Sequence, residues 1–359
     1  MKNNKPNIAF VLPVPNNKII GGYKVIYDYA NYLAQLNFAN ITIIYNAHKG
    51  ENSLHIPKLI TYFIRLIIGK YGPSWVKVNH NINKVVKFSY DNYLFEEYDV
   101  LIATATETAS FVNQFQGKKM YFLQGYENWN GVTEEQVDRT FQYDMKIIAI
   151  SKWLVAKVKN VSKNEALYIP NGIDNKIFNV SIPISKRNPH SLCALYHDDP
   201  IKGCDILLEI IFDLKNKYSD FEVYLFGYPK RPKNWPKWIH YEQKANARTV
   251  SYLMNKSRVF CCTSRQEGFG LTGLESIFSG CVLVTTDCLG VREYANEDNS
   301  FICGVDDKEG LYNSIITCFE NNEICEKKLR QCEFIKDNFN INNSRDMFSN
   351  ELLELIREE

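Results

Sequence analysis

The sequence predicts an α/β protein built as two doubly wound domains, each a parallel sheet with helices on both faces. Three observations carry that expectation. Short β-branched runs alternate with helix-period patterns, which implies parallel strands joined by helical crossovers. The alternation restarts after Asn188 and runs a second time. The length, 359 residues, suits two substantial cores at roughly 150 residues per domain.

Composition narrows the class further. Hydrophobic residues make up 45% and charged residues 23% of the chain, which excludes a disordered protein. The charge of 42 basic against 41 acidic residues, a net +1, supplies no overall field for a polyanion, so nucleic acid is not an expected partner. The early apolar stretch Ile8 to Val14 contains Pro13 and is too short for a spanning helix or a secretory signal. A cytoplasmic location is expected.

The first series opens with a strand at Ile8 to Leu12, ended by Pro13 and Pro15, followed by the Gly21-Gly22 loop. A helix then follows through Tyr23, Ile26, Tyr27, Ala30 and Leu33. Ile41 to Tyr45, Asp99 to Thr104, Lys118 to Leu123 and Lys146 to Ile150 read as further strands. The second series contains Leu192 to Tyr196, a helix over Cys204 to Lys217, and strands at Glu222 to Phe226, Val259 to Cys262, Val282 to Thr285 and Ser300 to Cys303. Asn171 to Asn188, with Gly172 and Pro183 and little periodicity, reads as the linker. Ser344 to Ile356 is an amphipathic helix by its apolar spacing.

All ten cysteines lie at or after Cys193, without a CxxC pair, so free thiols are expected. Cys318, Cys325 and Cys332 recur every seven residues, which on a helix returns to one buried stripe.

The stretch from Glu267 to Glu275, EGFGLTGLE, follows the strand Val259 to Cys262 and opens a helix. Its glycines permit close backbone approach, and the free N–H groups near Thr272 or Gly273 suit a diphosphate. Glu267 stands before the turn and Glu275 is expected on the first helical turn, where each could accept hydroxyl donors of a sugar or ribose. Read alone, the same stretch also describes a tight turn with a solvated helix face.

This segment resembles the E-x7-E motif of the family 4 retaining glycosyltransferases, which have the GT-B fold of two Rossmann-like domains facing across a cleft. Gly21-Gly22, Ile148 to Ser151, Ile169 to Asp174, Lys202-Gly203 and Gly290 to Glu293 resemble the family's other segments in the same order. The resemblance implies an acceptor-binding domain over 1–170, a sugar-nucleotide-binding domain over 171–343, and a C-terminal helix over 344–359 crossing back to the first domain. It implies that Glu275 holds the ribose of a nucleoside diphosphate sugar, Glu267 contacts the transferred sugar, and Lys202 neutralises the leaving diphosphate. Gly268, Phe269, Gly270, Leu271, Thr272, Gly21 and Gly22 would contribute to donor binding.

Two departures from the family stand out. His197 occupies the place of a diphosphate-binding arginine and is implied as a donor-binding residue; being only partly charged near neutral pH, it either needs help from another group such as Arg265, plays a different part, or is an ordinary loop histidine. In the first domain the family's histidine is missing, and Tyr121 to Glu127 reads YFLQGYE, which resembles a "YFVQDYE" stretch of polysaccharide-assembly members, some of them rhamnosyltransferases. Gln124 and Glu127 are then implied as donor or acceptor sugar contacts, and Glu127 as a loop cap is the plainer alternative. Gln124 cannot act as a base. In this family the leaving phosphate is usually held to take the acceptor's proton, so a base is not required.

No metal site is expected, because Asp198 and Asp199 are adjacent and project divergently. No cofactor is expected beyond the sugar nucleotide as co-substrate. Between Glu51 and Asp91 there is no acidic residue, while Lys58, Arg65, Lys70, Lys77, Lys84 and Lys87 are interleaved with Tyr62, Phe63, Tyr71 and Trp75. Residues 58–87 thus suit anionic lipid headgroups at the inner membrane face and a lipid-linked saccharide acceptor, or else a buried helix with a wet basic edge. Two rival functions share the fold: a sugar-nucleotide epimerase and a non-catalytic partner subunit of another transferase.

Overall fold

The computed structural model describes residues 5–15, 21–46, 58–87, 97–128 and 131–358. The chain divides into two compact units, Met1–Pro170 with Arg345–Glu359, and Asn171–Ser344.

The first unit is a parallel sheet of β1 (Asn7–Leu12), β2 (Asn40–Asn46), β3 (Asn83–Lys87), β4 (Val100–Ala103), β5 (Lys118–Leu123), β6 (Lys146–Ala149) and β7 (Ala166–Tyr168). Their order across the sheet is β3-β2-β1-β4-β5-β6-β7. The continuous apolar run of β1 follows from its central place, since Ile8 to Leu12 are each 0% exposed and covered on both faces. The direction of strand order reverses between β1 and β4, so their carboxyl ends diverge into a crevice.

Helix Ile341–Arg357 closes the chain, and from Arg345 onward it belongs to this unit. Phe348 stacks on Tyr29, with ring centroids 4.6 Å apart, and on Phe10 at 6.1 Å. The Arg345 guanidinium pairs with Asp28, and Lys146 Nζ meets Glu351 Oε2 at 2.8 Å. A 3.6-residue period alone predicts that buried stripe.

The second unit carries β8 (Ser191–Tyr196), β9 (Glu222–Gly227), β10 (Ile239–Gln243), β11 (Val259–Cys262), β12 (Val282–Thr286) and β13 (Ser300–Cys303). All pairings are parallel, in the order β10-β9-β8-β11-β12-β13. Its core joins Leu192, Val223, Leu225 and Val284 to Leu207, Ile211, Leu214 and Ile315 from the covering helices. Here the reversal lies between β8 and β11.

Two expectations change. Asn171 to Asn188 is not a loose linker but packs into the second unit, through a bridge between Ile173 and Asn340 and through Arg187. The Arg187 side chain is 6% exposed and donates to the carbonyls of Ile182, Met254, Ser257 and Ser279 at 2.7–3.2 Å. Cys318, Cys325 and Cys332 are buried but do not share one helix: the first two lie on Lys308–Glu320 and Asn322–Gln331, and Cys332 follows the second. All ten cysteines are free thiols.

Candidate active site

The loops leaving β8 and β11 meet because the two strands are neighbours, with Ala194 in register with Cys261. After β8 the chain makes a short 3-10 turn at Pro200–Lys202, started by Asp199, whose Oδ1 accepts from Ile201 N–H at 3.0 Å. It then turns through Gly203, at φ 59°. A Cβ at Gly203 would lie 2.0 Å from Thr263 O, so only glycine lets the two loops close on each other. Thr263 Oγ1 also donates to Lys202 O at 3.0 Å.

That closure delivers Lys202 Nζ to Glu267 Oε1 at 2.7 Å, across 65 residues of sequence. Ser264 Oγ donates to the same oxygen, also at 2.7 Å. Burial opposes the Lys202 charge, but the Glu267 carboxylate outweighs it and moves the lysine above its ordinary pKa. Lys202, Leu195, Cys262, Ser264 and Thr272 line one hollow at the switch point of this sheet, where ligands of open α/β sheets bind.

Beyond Glu267 the backbone passes Gly268 and Phe269 and enters helix Leu271–Phe278 through Gly270 at φ 81°. The Tyr294 hydroxyl donates to Gly270 O from beneath. A Cβ at Gly273 would lie 2.5 Å from that hydroxyl, which accounts for glycine in the first turn. Thr272 and Leu271 are half-buried, while Phe269 packs under the turn against Tyr294 and Phe339. Glu275 opens the second turn of this helix rather than sitting on the first, because the helix begins at Leu271, and its side chain is 5% exposed.

His197 is half-buried after β8, where its backbone N–H donates to Cys204 Sγ. Its Nδ1 accepts from Asp199 N–H at 2.9 Å, which places the proton of the neutral ring on Nε2. Arg265 does not replace the missing arginine. Its guanidinium is spent on Asp205 at 2.9 Å, Asp306 at 2.7 Å and Pro200 O, so it ties the loop instead of facing a ligand. Ser264 escapes sequence reading because only the β11 turn geometry aims it at Glu267.

In the first unit the crevice between β1 and β4 gathers Gly21, Gly22, Gln124 and Glu127. Gly21 is exposed at the start of helix Gly21–Leu36, and a Cβ at Gly22 would lie 3.3 Å from Gln124 Nε2. Glu127 Oε2 accepts from Thr106 N–H at 2.7 Å and so caps helix Thr106–Val112. Burial raises the Glu127 pKa above the ordinary carboxylate value.

Among the described residues no group of three or more His, Cys, Asp or Glu side chains could hold a metal ion. None of the described helices is long and apolar enough to cross a membrane.

Residues 191–321 match the family model described as Glycosyl transferases group 1. An uncharacterised glycosyltransferase of Haemophilus influenzae is 25% identical over 150 residues, 39% of this chain and 42% of that protein. A phosphatidyl-myo-inositol mannosyltransferase of Mycolicibacterium smegmatis is 23% identical over 173 residues, 45% of each chain. The chain thus matches less than half the length of these curated relatives. Among solved structures, Anabaena HepE in complex with UDP and glucose superposes with a TM-score of 0.73 at 15% identity, covering 96% of this chain and 98% of that one. A variant of S. aureus TarM, in complex with fondaparinux, alpha-GlcNAc-glycerol and UDP, gives 0.71 at 11% identity over 98% and 100%. None of these proteins is named an epimerase. The chain therefore has the GT-B fold seen in glycosyltransferases, and its residues 191–321 resemble the glycosyl transferases group 1 family.

Proposed function

We propose that the chain is a retaining glycosyltransferase, moving a hexosyl or deoxyhexosyl group from a nucleoside diphosphate sugar to a surface glycan or lipid-linked saccharide without a metal. One observation carries the reading: Lys202 and Glu267 meet at 2.7 Å at the switch point of the second sheet, beside the glycine-started helix that bears Glu275. UDP in the HepE complexes and a group 1 domain over the same residues support a sugar nucleotide as the ligand.

The chemistry follows from charge. As the glycosidic bond breaks, negative charge grows on the leaving diphosphate, and a fixed cation there stabilises the transition state most. Lys202 supplies it, exchanging part of its contact with Glu267 for phosphate oxygens. Ser264 keeps Glu267 in place during that exchange, so the carboxylate is free to accept a hydroxyl of the transferred sugar. Glu275 accepts the ribose hydroxyls. The N–H groups of Leu271 and Thr272 face the diphosphate, with the His197 Nε2–H as a neutral donor. The departing phosphate oxygen takes the proton of the acceptor hydroxyl as the new bond forms on the same face, so Gln124 is not needed as a base.

The acceptor side rests on the first unit. Gln124 and Glu127 line its crevice, and the likeness of Tyr121 to Glu127 to polysaccharide-assembly enzymes supports a saccharide there, with rhamnose among the candidate donor sugars. Helix Lys58–Tyr71 exposes Phe63, Ile67 and Tyr71 at 55, 58 and 72%, spaced four residues apart along one face, with Lys70 beside them. The side chains of residues 58–62 lie outside the described set. This apolar and basic face suits the anionic inner surface of a membrane, where a lipid-linked acceptor would be met.

Mass spectrometry of products from UDP-, GDP- and dTDP-sugars with lipid-linked or oligosaccharide acceptors tests the reaction. Donor-dependent, chelator-resistant glycosylation with retained anomeric configuration is expected. Undiminished activity in a Glu267→Ala, Glu275→Ala double variant refutes the site.

A further inference from the structure

Leu289 stands in a conformation that leucine rarely adopts. Its φ of 68° and ψ of −72° form a tight γ-turn, closed by Gly290 N–H donating to Cys288 O at 2.9 Å. For a residue with a side chain this turn is rare and strained. The strain has no internal reward, because Leu289 is 44% exposed between the buried Cys288 and Gly290.

The turn lies against the candidate site. Leu289 bridges Glu267, with Glu267 N–H donating to Cys288 O at 2.9 Å and Gly290 N–H to Glu267 O at 3.2 Å. A Cβ at Gly290 would lie 2.5 Å from Phe269 N, so the turn is pressed flush onto the EGFG backbone. Leu289 is thus the one large apolar side chain that this turn leaves open to solvent beside the carboxylate assigned to the transferred sugar.

We propose that Leu289 is a specificity-determining residue that selects a sugar carrying a methyl group on the edge facing it. The inference rests on the transferase reading above and deepens it. A polar sugar edge would gain nothing from an isobutyl group, whereas a methyl substituent removes both apolar surfaces from water. Two sugar chemistries present such a methyl, the 6-deoxyhexoses and the N-acetylhexosamines.

Matched donors on one nucleotide decide between them: GDP-rhamnose against GDP-mannose, dTDP-6-deoxyglucose against dTDP-glucose, and UDP-N-acetylglucosamine against UDP-glucose. Wild-type protein should favour the methyl-bearing member of one pair by about 10- to 100-fold in kcat/KM, the range a single apolar pocket contact supplies. Whichever pair shows the preference identifies the methyl source. Leu289→Gly should cut the preference to less than about threefold while leaving the melting temperature equal or higher, because relieved strain offsets glycine's greater unfolded freedom. An unchanged ratio in Leu289→Gly, or a clear fall in its melting temperature, overturns the inference alone. Turnover of no donor in any pair overturns the transferase reading, and this inference with it.

Discussion

The Lys202 ammonium and the Glu267 carboxylate, 65 residues apart in the chain, are held at 2.7 Å by the loops that leave the neighbouring strands β8 and β11. Each single truncation leaves the other charge half-buried and unpaired. Lys202→Ala and Glu267→Ala should each lower kcat/KM by about 100- to 1,000-fold, as removal of a transition-state donor does. The double variant should fall short of the product of the two, because the groups act as a unit. Steady-state kinetics of the three proteins checks this.

Glu275 is 5% exposed on the helix that starts at Gly270, so its carboxylate is already largely dry before a ligand arrives. Glu275→Gln should weaken sugar-nucleotide binding by about 1.5–3 kcal/mol, the worth of a hydrogen bond to a charged group. Calorimetric titration with the preferred nucleotide measures it. An unchanged Kd removes Glu275 from the site.

Glu127 has its pKa raised by burial, so the fold favours its protonated form. Its contribution to stability is therefore fullest below the ordinary carboxylate value and is lost as pH rises through the raised one. At neutral pH Glu127→Gln should match or exceed wild-type melting temperature, since the amide oxygen still accepts from Thr106 N–H. Glu127→Ala should cost about 1 kcal/mol through the lost cap. Melting curves from pH 4 to 8 test the sign: the advantage of the glutamine variant should shrink toward acid.

Arg187 satisfies four carbonyls from the interior of the second unit. Arg187→Met keeps the apolar stem but leaves those acceptors dry and unmatched. A loss of about 3 kcal/mol or more in urea unfolding is expected.

Gly203→Ala combines a left-handed backbone with a clash against Thr263 O. It should lower both the melting temperature and turnover, because the displaced loop carries Lys202. Retained activity at reduced stability would separate loop closure from catalysis.

Much of the fold was legible because central parallel strands must be apolar on both faces. Val259 to Cys262 and Ile8 to Leu12 therefore announce themselves as unbroken hydrophobic runs. The strands that sequence reading passed over, β3, β7 and β10, are all at sheet edges. There one flank meets water, and NKVVK or IHYEQ offers no such run. The same logic explains Arg187. Its partners are backbone carbonyls brought together only by folding, so the stretch around it, punctuated by prolines, resembles a linker. In the site, Glu267, Glu275 and Lys202 were visible through motif order. Ser264 and the strain at Leu289 were not, since neither residue type signals by itself a turn conformation or an aim.

Every cysteine of the chain falls within the second unit, and nine of the ten are buried. Thiol-reactive reagents therefore see one half of the molecule and are blind to the other. Pulse alkylation followed by mass measurement would time the opening of the second unit, against hydrogen-exchange signals from the first. Nature has in effect installed a label that reports which half lets go first, with no engineered probe required.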